Sequence, residues 1–265
     1  MRAFRIAYDG HPFHGFQRQP DVSTVSDAIL DALRALDVAF ENDTPPGYAA
    51  AGRTDAGVSA LAQTVAFEAP EWLSPAAFNS ELPASVRAWA VADAPDDFHA
   101  THHATERVYT YYLYAPDADL ARAREAATAL SGEHDFHNLT PDATGTERDL
   151  SITVERDGTF LVWQFRAGGF ARQLVRRLVS VLEGVATGAA AIDWVARVLD
   201  PEPLDGPEGV APASAYPLVL TDVVYPDCSF EVDPDAAASA REVFDQRHRE
   251  RLASARVAGS IRDGI

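Results

Sequence analysis

Apolar residues recur along this chain with two different periods, two residues in some stretches and three or four residues in others. Residues 2–8 follow the first period, which predicts a half-buried β-strand. Residues 25–36 follow the second period behind Ser23 or Thr24, either of which can cap a helix, so an amphipathic helix is predicted there. The alternation of the two periods indicates that strands and helices are mixed along the chain.

The same two periods, together with turn-forming residues, divide the rest of the chain. Further strands are predicted over residues 63–68, 86–92, 107–114, 150–156, 159–166 and 217–225. Further helices are predicted over residues 73–82, 118–130, 170–182, 192–199 and 233–258. Loops are predicted over residues 136–149 and 200–213. The clearest hairpin signal is Asp157-Gly158, which separates two runs of alternating residues.

The charge of the chain is strongly negative, and all of its basic residues are arginine. The 265 residues include 40 acids and 22 bases, and the formal net charge is −18. The lack of lysine excludes a Walker-type phosphate-binding loop and Schiff-base chemistry, because both need a lysine amine. Such an acidic composition indicates a host with high internal salt, such as a halophilic archaeon. Any contact with RNA must then come from local cationic patches.

The composition also bounds the compartment and the metal chemistry. Cys228 is the single cysteine, so neither an internal disulfide nor a cysteine-based zinc site can form. His99, His102 and His103 lie close together, but the adjacent pair would point apart in a strand, which disfavours a metal site. No apolar run approaches the ~20 residues of a membrane span, so we expect a soluble cytoplasmic protein that has no contact with a membrane.

The segment over residues 52–57, Gly-Arg-Thr-Asp-Ala-Gly, holds a carboxylate between two glycines. Glycine allows positive φ angles and close approach of another backbone, so a tight loop is expected. Arg53 is two residues from Asp55 and would share its side in an extended chain, which would keep the carboxylate ionised. An ionised carboxylate on a tight loop can act as a nucleophile. A surface ion pair in an ordinary turn is the alternative interpretation.

Two further stretches combine arginine with aromatic residues and lack acids. Residues 11–19 form a loop with histidine, phenylalanine, glutamine and arginine, which suits base stacking and phosphate contact. Residues 158–182 hold a cationic island of four arginines, namely Arg166, Arg172, Arg176 and Arg177. In so acidic a chain, this island favours anion binding over a solvated helix face. Four tyrosines over residues 107–114 are expected to pack mostly in the core, although one could stack on a base.

These stretches occur in the order found in the TruA-type tRNA pseudouridine synthases, which the chain resembles over about residues 2–227. The motifs that carry the resemblance are Tyr8-Asp9-Gly10 with Gly15-Phe16-Gln17-Arg18-Gln19, Gly52-Arg53-Thr54-Asp55-Ala56-Gly57-Val58, Asp97-Phe98-His99-Ala100 with Arg107-Val108-Tyr109, Gly169-Phe170 with Leu174-Val175-Arg176, and Ala211-Pro212-Ala213 with residues 218–226. The second motif is highly specific, and five ordered matches leave little room for chance.

The resemblance implies an α+β fold in which two α/β lobes share a continuous antiparallel sheet, with helices on one face and the catalytic cleft between the lobes. Residues 1–100 would form the lobe with the catalytic aspartate, residues 101–230 the C-terminal lobe, and residues 231–265 a helical acidic tail outside the resemblance. The implied activity is isomerisation of uridine to pseudouridine at positions 38, 39 and 40 of the tRNA anticodon stem-loop. The resemblance also implies a homodimer with no cofactor and no catalytic metal.

The resemblance assigns roles to individual residues. Asp55 would be the nucleophile, or the base that starts cleavage of the glycosidic bond. Arg176 would pair with Asp55 and keep it charged, and Arg53 would hold the uridine out of the base stack. Tyr109 would lie on the extruded uracil and help to remove its C5 proton. The remaining substrate contacts would come from Arg18, Gln19, the face from Arg172 to Arg177, and Leu218.

Two departures from the family and two rival functions remain open. Ser59 stands where many members have histidine and Thr101 where arginine is common, so the target uridines are not fixed by the motifs. A non-catalytic tRNA-binding protein on the same fold would not need Asp55, but the intact motif argues against it. A phosphohydrolase with Asp9 as its nucleophile lacks a second aspartate two residues later to act as the acid.

Overall fold

Strands from both ends of the sequence join into one sheet that runs through the molecule. The structure is a computed structural model and describes residues 1–204, 206 and 209–265. The strands within these residues are β1 (Arg2–Tyr8), β2 (Ala49–Ala50), β3 (Ser59–Phe67), β4 (Val86–Asp93), β5 (Glu106–Tyr114), β6 (Gly132–Asp135), β7 (Glu147–Asp157), β8 (Phe160–Ala167), β9 (Leu218–Val224) and β10 (Glu231–Val232). The α-helices are α1 (Val25–Ala35), α2 (Pro75–Asn79), α3 (Leu120–Leu130), α4 (Leu174–Thr187), α5 (Asp193–Val198) and α6 (Pro234–Asp263).

The order of the strands places two halves of the chain side by side in a mixed α/β fold. The order is β10-β4-β1-β3-β9-β5-β8-β7-β6, and β2 pairs with β3 outside this path. The two halves meet where β3 pairs with β9, with Ser59 opposite Val219 and Ala60 opposite Leu220. The sheet is therefore continuous, as expected. It is not wholly antiparallel, because the β3–β9 pair at the junction is parallel.

Local sequence explains where the main elements begin and turn. Thr24 caps α1, since its hydroxyl accepts a hydrogen bond from Asp27 N at 3.2 Å and its own N–H donates to the Asp27 carboxylate. Asp119 caps α3 in a similar way. Gly158 takes a φ of +56° at the turn between β7 and β8, so the predicted hairpin forms there.

Burial differs between the two halves of the sheet. Helix α3 packs against β7 and α4 against β5, and alternate residues of β7 and β8 are buried. Trp163 and Phe165 are completely buried among them and each stabilises the fold by about 1.5–3 kcal/mol. In contrast, six of the seven residues of β1 are buried, so both faces of the sheet are covered in the N-terminal half.

Some predicted boundaries differ from the structure, and one predicted loop lies partly outside the described residues. Helix α4 begins at Leu174 rather than at residue 170, because Gln173 has a left-handed backbone with a φ of +61°. The loop predicted over residues 136–149 contains a short 3-10 helix at His137–Leu139, and β7 starts within it. The loop predicted over residues 200–213 includes residues 205, 207 and 208, which lie outside the described residues.

Residues 231–265 are attached to the N-terminal half of the sheet. β10 pairs with the edge strand β4, and the first turns of α6 pack on β4 and α2 through Ala236, Ala237 and Ala240. The segment has seven acids and six arginines, so it is not the acidic tail that was expected. Among the described helices, none combines the length and the apolar character that crossing a membrane requires.

Two glycines let the N-terminal loop touch the segment around Asp55 backbone to backbone. A Cβ atom on Gly10 would lie 2.2 Å from the Val58 carbonyl oxygen. Gly15 has a φ of +96°, and a Cβ there would lie 2.9 Å from the Thr54 carbonyl oxygen. No side chain fits between the two loops, so glycine is required where they meet.

We expect Gly10→Ala to lower the free energy of unfolding by about 1–3 kcal/mol or more, because the added methyl group overlaps the Val58 backbone. Gly259→Ala is the matched control, since it lies in α6 with no atom within 4 Å of its Cβ position. The control should be neutral or stabilise the protein by up to about 1 kcal/mol. Urea denaturation of both variants measures the difference, and equal stabilities would contradict the close contact.

Candidate active site

A cleft of about 1590 Å³ lies between residues from the two halves of the chain. One wall comes from the N-terminal loop and the segment around Asp55, and the other comes from β5 and the start of α4. Eight of the residues singled out from the sequence line this cleft: Arg18, Gln19, Arg53, Asp55, Tyr109, Arg172, Arg176 and Leu218. Sequence positions spread over 200 residues are thus brought to one surface.

The carboxylate of Asp55 forms an ion pair with a guanidinium from the other half of the chain. Arg176 Nη1 lies 3.1 Å from Asp55 Oδ2, and the side chains are 16% and 30% exposed respectively. Arg176 is itself fixed on Ala213, because its Nε donates to the Ala213 carbonyl at 2.7 Å and its carbonyl accepts from Ala213 N. The ion pair therefore has a defined orientation and remains open to the cleft.

The residue before Asp55 anchors the segment over residues 52–57 on both sides. Thr54 Oγ1 lies 2.7 Å from the hydroxyl of Tyr8, and both groups are buried. The Thr54 carbonyl accepts a hydrogen bond from Phe16 N at 3.0 Å. After the turn, Val58 N donates to the Asp55 carbonyl at 3.1 Å. These bonds hold the backbone of Asp55 against β1 and the N-terminal loop.

Arg107 connects three loops around the site, a role that the sequence reasoning missed. It is 9% exposed, and its Nε and Nη2 donate to the Ala51 carbonyl at 3.0 and 2.7 Å. It also donates to the carbonyls of Thr101, at 2.7 Å, and Gly168. The available signal was its spacing, since Arg107 lies two residues before Tyr109 and so on the same face of β5.

Tyr109 forms part of the apolar wall of the cleft. Its ring is 9% exposed and meets Phe170 edge to face, with centroids 5.2 Å apart. Burial raises the pKa of the Tyr109 phenol to about 12, the charge of Arg107 opposes this shift, and the charge of Asp55 adds to it. The phenol therefore stays protonated at neutral pH. Phe170 also lines the cleft, although the motif Gly169-Phe170 did not by itself indicate this position.

Arg53 has a different position from the one that its spacing suggested. The prediction that Arg53 holds the charge of Asp55 is wrong, because the ion-pair partner of Asp55 is Arg176. Residues 52–55 have no regular secondary structure and lead into a turn at Ala56-Gly57, so the side-chain alternation of a strand does not apply to them. Among the described residues, Arg53 makes no hydrogen bond or ion pair, and its exposed side chain lies in the cleft.

The other residues predicted to contact the substrate have partners within the protein. Arg18 Nε lies 2.9 Å from Asp27 Oδ1, and Arg172 Nε lies 3.2 Å from Asp142 Oδ1. The Gln19 amide donates to the His14 carbonyl at 2.8 Å. Leu218, which is buried, begins β9 opposite Tyr111.

The cationic island of the sequence is divided by the fold. Arg172 and Arg176 reach the cleft, although Arg172 precedes α4 and so does not share a helix face with Arg176. Arg166 pairs with Glu106 on the sheet, and Arg177 donates to the Val210 carbonyl. The prediction that Arg177 faces the same ligand as Arg172 is therefore wrong.

Two residues that depart from the family pattern, and the histidine group, have structural partners. Ser59 Oγ accepts a hydrogen bond from Gly10 N at 3.0 Å, and the Thr101 hydroxyl donates to the Ala50 carbonyl at 2.6 Å. The rings of His99 and His102 lie 4.2 Å apart at the cleft. In the part of the chain that the structure describes, no three histidine, cysteine or acidic side chains converge as metal ligands would.

The charge of the cleft is opposite to that of the whole chain. Five arginines line it against two aspartates, in a chain with 40 acids and 22 bases. Arginine is well suited to phosphate, because its planar guanidinium can donate two parallel hydrogen bonds. An ion-paired carboxylate in such a cleft fits an enzyme that acts on an anionic substrate.

Comparison with known proteins identifies the family. The family model for tRNA pseudouridine synthase matches residues 126–226. The tRNA pseudouridine synthase A of Natronomonas pharaonis is 63% identical over 263 residues, which cover 98% of each chain. Those of Haloarcula marismortui and Halobacterium salinarum are 60% and 56% identical and cover 100% and 98% of each chain. The chain therefore belongs to the tRNA pseudouridine synthase A family.

This membership confirms the resemblance and makes the protein an isomerase rather than a non-catalytic relative. The organisms of these relatives also support the halophilic origin inferred from the charge. Among solved structures, a chain from the crystal structure of the archaeal box H/ACA sRNP Nop10-Cbf5 complex is 15% identical, with a TM-score of 0.34. The match covers 66% of this chain and 45% of that chain.

The geometry around Asp9 disfavours the phosphohydrolase alternative. The Asp9 side chain is 3% exposed and is bound by Arg247, Arg251 and His11. A carboxylate enclosed in this way has no free oxygen with which to attack a substrate.

We expect Arg107→Gln to lower the free energy of unfolding by about 2–4 kcal/mol, because the shorter side chain leaves buried carbonyls without a donor. Arg166→Gln on the neighbouring strand β8 is the control, since its ion pair with Glu106 is largely solvated and contributes less than about 1 kcal/mol. Chemical denaturation of both variants checks this, and a smaller loss for Arg107→Gln than for the control would contradict the assignment.

Proposed function

We propose that this protein converts uridine to pseudouridine in the anticodon stem-loop of tRNA, at positions 38, 39 and 40, with Asp55 as the catalytic residue. The observation that carries the proposal is the Asp55–Arg176 ion pair in a cleft lined by five arginines. The similarity to the tRNA pseudouridine synthases A of Natronomonas pharaonis and Haloarcula marismortui supports tRNA as the substrate class. Because tRNA is processed in the cytoplasm, we place the reaction there.

The reaction exchanges one bond of the nucleoside for another. The bond from the sugar C1′ to N1 of uracil breaks, the base turns, and a bond from C1′ to C5 forms. The C5 proton leaves and N1 gains a proton, so the product has the same mass as the substrate. Asp55 would begin the cleavage as nucleophile or base, for which it must be ionised and open to the cleft.

The orientation of Asp55 depends on Arg176. The guanidinium beside it donates a charge-assisted hydrogen bond to one of the carboxylate oxygens. The other oxygen, Oδ1, is left for the substrate in the 30% of the side chain that is exposed. Because Arg176 is also fixed on Ala213, the pair can keep its geometry when the base enters.

Tyr109 and Leu218 would form the apolar surfaces against which the uracil packs. Both side chains line the cleft and are mostly buried, and Phe170 supports the Tyr109 ring. A phenol whose pKa is about 12 is a weak candidate for a base at neutral pH. This argues for a stacking role for Tyr109 rather than removal of the C5 proton.

Arg53 is the arginine best placed to compensate for extrusion of the uridine. Extrusion costs a few kcal/mol of lost stacking and pairing. Arg53 lies in the cleft with an exposed side chain, so it can contact the nucleotides that the uridine leaves. Arg18, Gln19 and Arg172 also line the cleft and would contact the RNA backbone.

We also infer a homodimer, with the open face of the C-terminal half as the contact surface. Tyr112, Tyr114 and Phe160 are 45%, 60% and 39% exposed there, and the rings of Tyr114 and Phe160 touch edge to face. Exposed aromatic clusters of this kind are typical of protein interfaces.

The dimer is checked by light scattering at high salt, where a mass of twice 28.6 kDa is expected. Tyr114→Arg should shift the mass toward one chain, because a charge would be buried in the contact. A single-chain mass for the unmodified protein would contradict this part of the proposal.

We expect Asp55→Asn to lower the rate of pseudouridine formation by at least about 10³-fold, because a neutral amide cannot replace the ionised carboxylate. Selective chemical labelling of pseudouridine, read by primer extension, shows whether positions 38, 39 and 40 of tRNA react. Binding of tRNA should stay within a few-fold, since one cleft carboxylate contributes little to phosphate contact.

The matched control is Asp31→Asn, because Asp31 is an exposed residue of α1 outside the cleft. It should form pseudouridine at the unmodified rate. Full activity of Asp55→Asn would remove the proposed role of Asp55, and labelling only outside the anticodon stem-loop would contradict the proposed target.

A further inference from the structure

The loop that supports the catalytic segment is held at its first residue by the C-terminal helix. Asp9 follows β1, and its side chain is only 3% exposed. Arg247 Nη1 lies 2.7 Å and Arg251 Nη2 lies 2.6 Å from Asp9 Oδ2. The other oxygen, Oδ1, lies 2.7 Å from His11 Nδ1. Both oxygens are therefore bound, and two of the partners come from α6.

A buried carboxylate is tolerated only when cations or hydrogen-bond donors compensate for its lost hydration. Burial raises the pKa of Asp9, but hydrogen bonds from Arg251 and His11 outweigh this effect and leave the pKa below its usual range. Removal of both arginines would leave the Asp9 carboxylate with His11 as its remaining partner. The loop would then have to shift to admit water to the carboxylate.

A shift at Asp9 would be transmitted directly to the catalytic segment. The next residue, Gly10, donates its N–H to Ser59 Oγ at 3.0 Å and packs against the Val58 carbonyl. Three residues further on, the Phe13 carbonyl accepts a hydrogen bond from Gly57 N at 3.3 Å. These contacts hold the two loops against each other just after Asp55.

A second contact runs through aromatic rings. His11 stacks on Tyr216, with ring centroids 4.3 Å apart and planes 11° from parallel. The Tyr216 ring in turn lies against Gly57. A Cβ atom added to Gly57 would be 2.9 Å from the Cε1 atom of Tyr216. Arg251 also contacts His11. This residue of α6 therefore takes part both in the contact through Asp9 and in the contact through the aromatic rings.

We propose that Arg247 and Arg251 are positioning residues for the reaction: they neutralise Asp9 and thereby hold the loop over residues 9–16 against the catalytic segment. The inference rests on the proposed function, because its readout is pseudouridine formation at Asp55. It assigns α6 a role in catalysis although no atom of α6 lines the cleft. Displacement of a reacting group by about 1 Å can lower a rate about 10²-fold, so the effect does not require unfolding.

The test is the double variant R247Q/R251Q, measured in single turnover with enzyme in excess of tRNA. The rate constant of pseudouridine formation should fall tenfold or more, while the dissociation constant for tRNA stays within twofold. R247K/R251K should recover most of the rate, because each arginine uses a single nitrogen on Asp9 and an ammonium can replace it. The single variants R247Q and R251Q keep one ion pair each and should give smaller losses.

The control is R249Q/R256Q, which changes two exposed arginines of the same helix that do not contact Asp9. An unmodified rate for R247Q/R251Q, or an equal fall for R249Q/R256Q, would overturn the inference. An equal loss of rate and of tRNA affinity would also overturn it, because that pattern indicates general damage. Asp55→Asn is measured in parallel: if it stays active, the proposed function fails, whatever the arginine variants show.

Discussion

The ion pair between Asp55 and Arg176 joins residues that are 121 positions apart, and its geometry depends on the rest of the fold. Asp55 precedes β3 and Arg176 lies on α4, and the two meet because β3 pairs with β9 at the centre of the sheet. With 30% and 16% of the side chains exposed, the pair contributes no more than about 1 kcal/mol to stability. The ion pair is therefore positioned by the sheet and by the buried hydrogen bonds of Arg107. Its importance is chemical, because it presents an oriented carboxylate to an open cleft.

The opposite charges of the cleft and of the whole chain are compatible only under particular solution conditions. At an ionic strength of 1 M the screening length is about 3 Å, so a net charge of −18 has little effect on an approaching polyanion. Direct contacts between guanidinium and phosphate are screened much less. Arg18 and Arg172 are held by Asp27 and Asp142, so an RNA phosphate must replace or share a carboxylate partner. These aspartates orient the arginines and at the same time weaken the binding of monovalent anions.

The sequence predicted the elements whose signals are local. Alternation located β1, a capping threonine located α1, and Asp157-Gly158 located the hairpin, because in each case neighbouring residues determine the backbone. The short strands β2, β6 and β10 carried no such signal, since pairing with distant strands creates them. The motifs identified eight residues that the fold brings to one cleft. The partner of Asp55 could not be deduced from local spacing, and neither could the task of Arg107, whose carbonyl partners come from three separate loops.

Two aspartates in this chain stand at loops beside the central sheet, and each is bound by arginine, yet only one of them lines the cleft. Asp9 is almost completely enclosed, and His11 and two arginines occupy both of its oxygens. Asp55 has one arginine on one oxygen, and nearly a third of its side chain faces a cleft that a base can enter. A carboxylate whose two oxygens are both bound is a structural anchor, whereas one with an accessible oxygen can still contact a substrate. The two environments are coupled, because the loop anchored at Asp9 is the surface on which the turn carrying Asp55 rests.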